Sequence, residues 1–291
     1  MDLAPSIDIA KELLELNKYQ EAIDICNEIL KTDMNSVEAL TLKAKSLFAI
    51  KKFEDVRLCL NKGLNLKPND IEIIKELGNL HRSLGEKSIA KDYYKKALLI
   101  NSNYAPALIN LGILELKAGN NQEALSLLIK STIAEPKLIS AWVNLANIYV
   151  QIGNYKEAEK ACFKAIEINP ELFNTHFLLS SILIAQNKPL EAKTSLHKVI
   201  ELNPNFYNAH FLLASILIDQ NKLIEAEFSL RKTIEINPNL ATAYSNLGNL
   251  LRDLGRLKEA EISTRKAIKL NPNFADAHSN LGNILSNLGK L

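Results

Sequence analysis

No apolar run in this 291-residue chain reaches the roughly 18 residues that a membrane-spanning helix needs. Nor is there a block of lysine and arginine. A formal net charge of +2 offers nothing that would hold a polyanion, so neither nucleic acid nor a membrane surface is expected as a partner. The opening residues lack the basic segment of a secretory signal and carry acids instead, at Asp2 and Asp8. Only three cysteines occur, Cys26, Cys59 and Cys162. They fall too far apart along the chain to pair, which fits small buried packing residues in a reducing, cytoplasmic compartment. Catalytic signatures are missing as well: the chain contains no G-x-S-x-G, no H-E-x-x-H and no paired-cysteine metal motif. Gly85-Glu86-Lys87-Ser88 only echoes the end of a phosphate loop, since it lacks an adjacent Gly-Lys-Ser and no strand pattern precedes it. No enzyme, no cofactor and no metal are expected.

What is present is a period. In the stretch from Ile139 to Leu172, Trp142, Leu145, Ala146 and Tyr149 recur at i, i+3, i+4 and i+7, the spacing of one helical face. Gly153-Asn154 breaks that helix. Ala158, Cys162 and Ala165 mark a second one, and Asn169-Pro170 closes it. Proline disfavours a helical residue before it and has no donor with which to continue a helix. Shifting the window by 34 residues in either direction restores the pattern without an insertion. Full repeats begin at Leu3, Val37, Ile71, Ala105, Ile139, Phe173, Tyr207 and Ala241, and half of a ninth begins at Ala275. Counting slots from these residues, slot 8 is small at Gly78, Gly112, Ala146, Ser180, Ala214, Gly248 and Gly282, where two helices must approach closely. Gly85, Gly119, Gly153, Gly255 and Gly289, or Asn17, Asn187 and Asn221 in their place, stand where a first helix ends in a left-handed cap. Glu123, Glu157, Glu191, Glu225 and Glu259 fall in the first turn of the second helices, at the positive end of the dipole.

The run W-x2-L-x3-Y…A-x3-C-x2-A…P, with its 34-residue period, resembles the tetratricopeptide repeat. The resemblance spans the whole chain. It implies an all-α fold, a right-handed superhelical α-solenoid of helix-turn-helix repeats forming one array over 1–291, in which each repeat contacts mainly its neighbours. The final first helix, from Ala275, has no second helix after it. We therefore expect a chain that continues past Leu291, or a last helix that frays or self-associates.

Five histidines invite a metal reading that the period argues against. His176, His210 and His278 are separated by multiples of 34 residues. Equivalent positions in adjacent repeats lie on the order of 10 Å apart, whereas ligands of one zinc ion each sit about 2 Å from it. Packing in the Trp142 slot is the simpler role. Ala4-Pro5-Ser6 reads as the start of the first helix.

The face opposite the apolar slots of the first helices, made by slots 2, 5, 6, 9, 12 and 13, lines the concave groove in proteins of this type. Here Asn110, Asn144, Asn246 and Asn280 share slot 6, and Asn79, Asn147, Asn249 and Asn283 share slot 9, three residues on along the same face. An amide carries donors and an acceptor, so such a ladder can pair with the backbone of an extended peptide. The bland alternative is that Asn is abundant here and tolerated on exposed faces. The slot-6 ladder, and the wording AYSNLGNLL from Ala243, resemble the tetratricopeptide arm of O-linked N-acetylglucosamine transferases, which implies a substrate-holding arm of a larger glycosyltransferase as one reading. Repeats six and seven depart from it. They place Leu178 and Leu212 in the ladder slot, Phe177 and Phe211 beside it, and Ile184 and Ile218 further along, an exposed apolar patch that would anchor side chains. Lys75, Asn79 and Asn110 also match part of the carboxylate clamp of chaperone-binding members, but Ser140 and Asn144 stand where further basic residues belong. The expectation is a non-catalytic scaffold that binds a protein or extended peptide in this groove. The arm of a glycosyltransferase is its alternative, and a self-associating assembly is a third reading.

Overall fold

The computed structural model describes residues 6–290, and over these it consists of seventeen α-helices and no strand. The start expected at Leu3, the Ala4-Pro5 helix start and Leu291 lie outside the described residues. Helices α1 (Ile7–Glu15), α3 (Val37–Ala49), α5 (Ile71–Ser83), α7 (Ala105–Lys117) and α9 (Ile139–Gln151) are first helices of successive repeats. So are α11 (Phe173–Ala185), α13 (Tyr207–Asp219), α15 (Ala241–Asp253) and α17 (Ala275–Asn287). From Val37 onward each begins at its expected residue. Their partners are α2 (Tyr19–Thr32), α4 (Phe53–Leu66), α6 (Lys87–Ile100) and α8 (Asn121–Ala134). The second helices continue with α10 (Tyr155–Ile168), α12 (Pro189–Leu202), α14 (Leu223–Ile236) and α16 (Leu257–Leu270).

The contacts divide into two units, Met1–Ile148 and Tyr149–Leu291. In the first, each helix from α1 to α8 packs on its chain neighbours, and first helices also touch in sequence, α1 on α3, α3 on α5 and α5 on α7. In the second, α10 to α17 pack on their chain neighbours in the same way, and α15 also meets α17. The architecture is an all-α helical repeat solenoid.

Three local devices set the repeat. The first is the small slot. Gly78 of α5 leaves room for the ring of Tyr94 of α6, which is wholly buried, and an added Cβ there would lie 2.5 Å from the ring. The second is the turn between the helices of a repeat, where the five glycines and Asn17, Asn187 and Asn221 all take positive φ as expected. Lys51 does so too, at φ 62°, which the sequence did not announce. A side chain bearing Cβ costs roughly 1–2 kcal/mol in this conformation, and glycine loses roughly 0.5–1 kcal/mol more to chain entropy on folding. Lys51→Gly is therefore expected to stabilise the first unit by about 0.5–1 kcal/mol, read as raised denaturant resistance. A loss of stability would show that the lysine side chain holds that turn.

The third device is the joint between repeats. Asn169 ends α10 in extended backbone while its side-chain oxygen accepts the N–H of Glu171 (2.9 Å). Asn101, Asn237 and Asn271 repeat this bond. The asparagine is thus used for its acceptor, with proline next to it at Asn169, Asn237 and Asn271 and Ser102 next to Asn101. Six residues past Pro136, Trp142 donates its indole N–H to the carbonyl of that proline (2.8 Å). His176, His210 and His278 place Nε2 on the carbonyls of Pro170, Pro204 and Pro272 at 2.8–3.0 Å. A carbonyl only accepts, so the histidines must carry the proton on Nε2. They tie each first helix to the joint before it. The first helices α7, α11, α13, α15 and α17 begin at an aromatic or leucine N-cap that makes no side-chain cap bond, and the ring of one of them, Phe206, lies edge-on to Phe173 and Phe177 (centroids 5.3 and 4.9 Å).

Candidate functional site

The outward slots of the first helices form the candidate site, and the two units fill them with different chemistry.

In the first unit the slots hold a closed polar network. Lys75 Nζ, on α5, lies 2.9 Å from Glu72 and 2.5 Å from Glu76, one helical turn and one residue away. Lys45 reaches Glu72 from α3 (2.6 Å), and the Tyr104 hydroxyl donates to the other oxygen of the same carboxylate. Asn79 donates to Glu76 (2.8 Å) and accepts from the Tyr94 hydroxyl (2.8 Å) and from the Asn110 amide (3.0 Å). Arg82 in turn donates to the Asn110 oxygen (3.1 Å). Burial pushes the Glu72 carboxyl up, but the Lys75 charge and the bonds from Lys45, Tyr104 and Lys75 outweigh it and hold the group at about 2. Burial likewise pulls the Lys75 ammonium down, yet Glu76 and Glu72 leave it raised above its ordinary value. Asn79 and Asn110 are thus brought together, but engaged with each other and with charged neighbours. Lys75, the basic member of the clamp-like trio, is neutralised by two carboxylates within its own helix. Asn144 donates to the Ser140 carbonyl of its own helix (2.7 Å), and Asn147 is exposed.

In the second unit the same slots are apolar and then amide-lined. Phe177, Leu178, Phe211 and Leu212 are half-buried, so the rings are not the freely exposed pair that sequence suggests. Part of the Phe177 ring is taken by Phe206, because the N-cap residue of α13 needs a packing partner. Ile184 remains open at 39 % exposure. Further along, Asn246 and Asn249 share with Ile218 a pocket of about 350 Å³ between α13 and α15. Asn280 donates to the Ser245 hydroxyl (3.1 Å), linking α17 to α15, and Asn283 is exposed.

Sequence reasoning passed over Glu72, Glu76, Arg82 and Lys45, and in the second unit Asp219 and Arg252. The signal was available: all six occupy the outward slots named above. Among the described residues no group of three or more His, Cys, Asp or Glu is placed to hold a metal ion, and no helix is long and apolar enough to cross a membrane. Cys26, Cys59 and Cys162 are buried free thiols, and burial pushes Cys162 up to about 12. Thiols so placed are poor nucleophiles.

Family models described as Tetratricopeptide repeat match residues 139–172, residues 13–77 and 183–247, and residues 76–104. A model described as TPR repeat matches 248–289. No curated protein matches the chain in sequence. Among solved structures the chain is similar to YrrB, described as a TPR protein with an unusual peptide-binding site. The two share 26% identity at a TM-score of 0.56 over 64% of this chain and 96% of that one. It is also similar in fold to pilF of Pseudomonas aeruginosa, with 18% identity and a TM-score of 0.64 over 75% of this chain and all (100%) of that one. A third similarity is to the Cut9-Hcn1 hetero-tetramer of the APC/C, with 15% identity and a TM-score of 0.63 over 92% of this chain and 52% of that one.

Proposed function

Because the chain is a tetratricopeptide-repeat protein, we propose that it is a non-catalytic scaffold which binds an extended peptide on the first-helix face of its second unit. The observation that carries this reading is the contrast between the two units. In α5 and α7 of the first unit Lys75, Asn79, Arg82 and Asn110 are engaged with one another or with carboxylates, whereas the second offers Phe177, Leu178, Phe211 and Leu212 beside a pocket edged by Asn246 and Asn249. Apolar side chains of a ligand would enter between the phenylalanines, and the amides would hold its backbone. The similarity to YrrB, whose description names a peptide-binding site, supports a peptide as the ligand class. Buried, unactivated thiols support a reducing, cytoplasmic setting. The glycosyltransferase-arm reading uses the same peptide contacts and differs in requiring a nucleotide-sugar-binding domain in the same polypeptide. The length of the native transcript decides between them.

Peptides selected from a phage-displayed random dodecapeptide library on the full chain test the surface. Anchors dominate interface energies and flanking polar contacts contribute less. Phe177→Ala with Phe211→Ala is expected to cost about 2 kcal/mol or more of binding. Asn246→Ala is expected to cost about 0.5–1.5 kcal/mol. Because Phe177 also packs on Phe206, unchanged circular dichroism of the double variant is the accompanying control. Peptides that bind all these variants as they bind the parent would refute the assignment.

A further inference from the structure

The pocket between α13 and α15 has a chemistry of its own. Ile218 and Leu250 supply apolar wall from the two first helices, and Leu223, the first residue of α14, closes one side. Its polar groups without a partner are the Asn246 carboxamide, which both donates and accepts, and two acceptors. Asp219 makes no hydrogen bond or ion pair, and the Asn249 side-chain oxygen is buried without a partner. The one cation in the lining, Arg252, is occupied by Asp253, with both Nε and Nη2 on the same carboxylate oxygen (3.1 and 2.9 Å). Asp219 and Asp253 hold slot 13 in consecutive repeats, so the two carboxylates stand at equivalent heights on neighbouring helices. In the first unit that slot holds Glu15, Ala49, Ser83 and Lys117 in successive first helices. A free carboxylate, an orphaned buried acceptor and an aliphatic wall together match one kind of side chain. Its stem must be apolar, and its head must bring hydrogen-bond donors and positive charge.

Resting on the peptide-binding reading above, we infer that this pocket is a subsite for a lysine or arginine side chain of the bound peptide. The aliphatic stem lies along Ile218, Leu223 and Leu250, and the cationic head donates to Asp219. The Asn249 oxygen accepts a further N–H from that head or from the peptide backbone beside it. The ligand would thus pair apolar residues for the Phe177/Phe211 region with a basic residue further along, and a charge-neutral segment would be a weaker ligand.

The probe is the same dodecapeptide library, selected on the full chain and on Asp219→Asn. Asp219 is exposed at the end of α13, so the variant should fold, with circular dichroism as the check. Peptides selected on the parent are expected to carry lysine or arginine at a fixed distance from their apolar residues. Replacing that residue by citrulline or norleucine should weaken binding to the parent about tenfold, the worth of one charge-assisted bond, and leave binding to Asp219→Asn about unchanged. Raising salt from about 50 to 300 mM should weaken the parent complex and hardly affect the variant's. Selected peptides without a basic position, or an equal citrulline loss on both proteins, overturn the subsite. Those outcomes leave the groove assignment standing provided Phe177→Ala with Phe211→Ala still abolishes capture. Peptides indifferent to the two phenylalanines, or a library that yields no binder, overturn both.

Discussion

Gly78→Ala is expected to destabilise the α5–α6 pair by roughly 1–3 kcal/mol, although alanine is the better helix former. The added Cβ would sit 2.5, 2.8 and 3.0 Å from three atoms of the Tyr94 ring, which is 0 % exposed. Overpacking of this kind costs roughly 1–3 kcal/mol and occasionally more. Displacing the ring also breaks the hydroxyl bond to Asn79, worth about 1 kcal/mol. The propensity gain of about 1 kcal/mol offsets part of the sum. The other small slots grade the effect. At Gly248 the new Cβ would lie 2.1 Å from Oγ1 of Thr264, itself 0 % exposed, and 3.3 Å from the Ala260 carbonyl oxygen, so Gly248→Ala should cost roughly 1–3 kcal/mol. At Gly282 nothing lies within 4 Å, and Gly282→Ala should be neutral or stabilising. Stability in a repeat array is local, so amide hydrogen exchange of each helix pair is the measurement. Equal losses at all three glycines would mean that backbone conformation, and not the facing side chain, sets the slot.

That series marks how far the sequence could be read. The 34-residue period placed every first helix from Val37 on at its first residue, because the period is a property of backbone geometry and of small residues at crossings. Slot 8 could be recognised as small at Gly78 and Gly248 alike. What separates them is the residue across the crossing, Tyr94 in one case and Thr264 in the other, and this follows from pairing the slots. The candidate site was less legible. Asn79 and Asn110 looked like two rungs of a free ladder, since side chains in different repeats carry no sequence mark of touching. Their mutual bond, and the pull of Tyr94, Glu76 and Arg82 on them, arise only when α5, α6 and α7 are assembled. Phe177 misled for a similar reason: its outward slot is shielded by Phe206, 29 residues on in sequence and in ring contact with it.

Removing the cation at the centre of the first unit's network should make the network's contribution visible through pH. Lys75 is 11 % exposed and stands between Glu72 and Glu76, which are 34 % and 13 % exposed. Lys75→Met keeps the aliphatic stem and leaves the carboxylates without the ammonium between them. Breaking one side of a buried ion pair costs about 3–5 kcal/mol. The low end applies here, near 3 kcal/mol at neutral pH, because Lys45 still reaches Glu72 (2.6 Å) and Glu72 keeps contact with water. The penalty should then shrink in acid. In the parent protein Glu72 is held at about 2 against an ordinary value of 4.5. A carboxyl depressed on folding contributes stability that is complete above its unfolded value and is lost as pH falls through the folded one. The parent therefore loses part of its advantage between about pH 4.5 and 2, by about 2 kcal/mol once screening of the partly exposed carboxylate is allowed for. The variant, in which Lys75 no longer opposes protonation of Glu72, has less to lose over the same range. Denaturant unfolding of both proteins at pH 7 and near pH 2.5 should show the gap closing from about 3 to about 1 kcal/mol. Glu72→Gln in the Lys75→Met background should recover part of the loss at neutral pH and nothing in acid, which assigns the titration to Glu72. A gap of constant size across this range would mean that the lysine acts by packing its stem rather than by its charge.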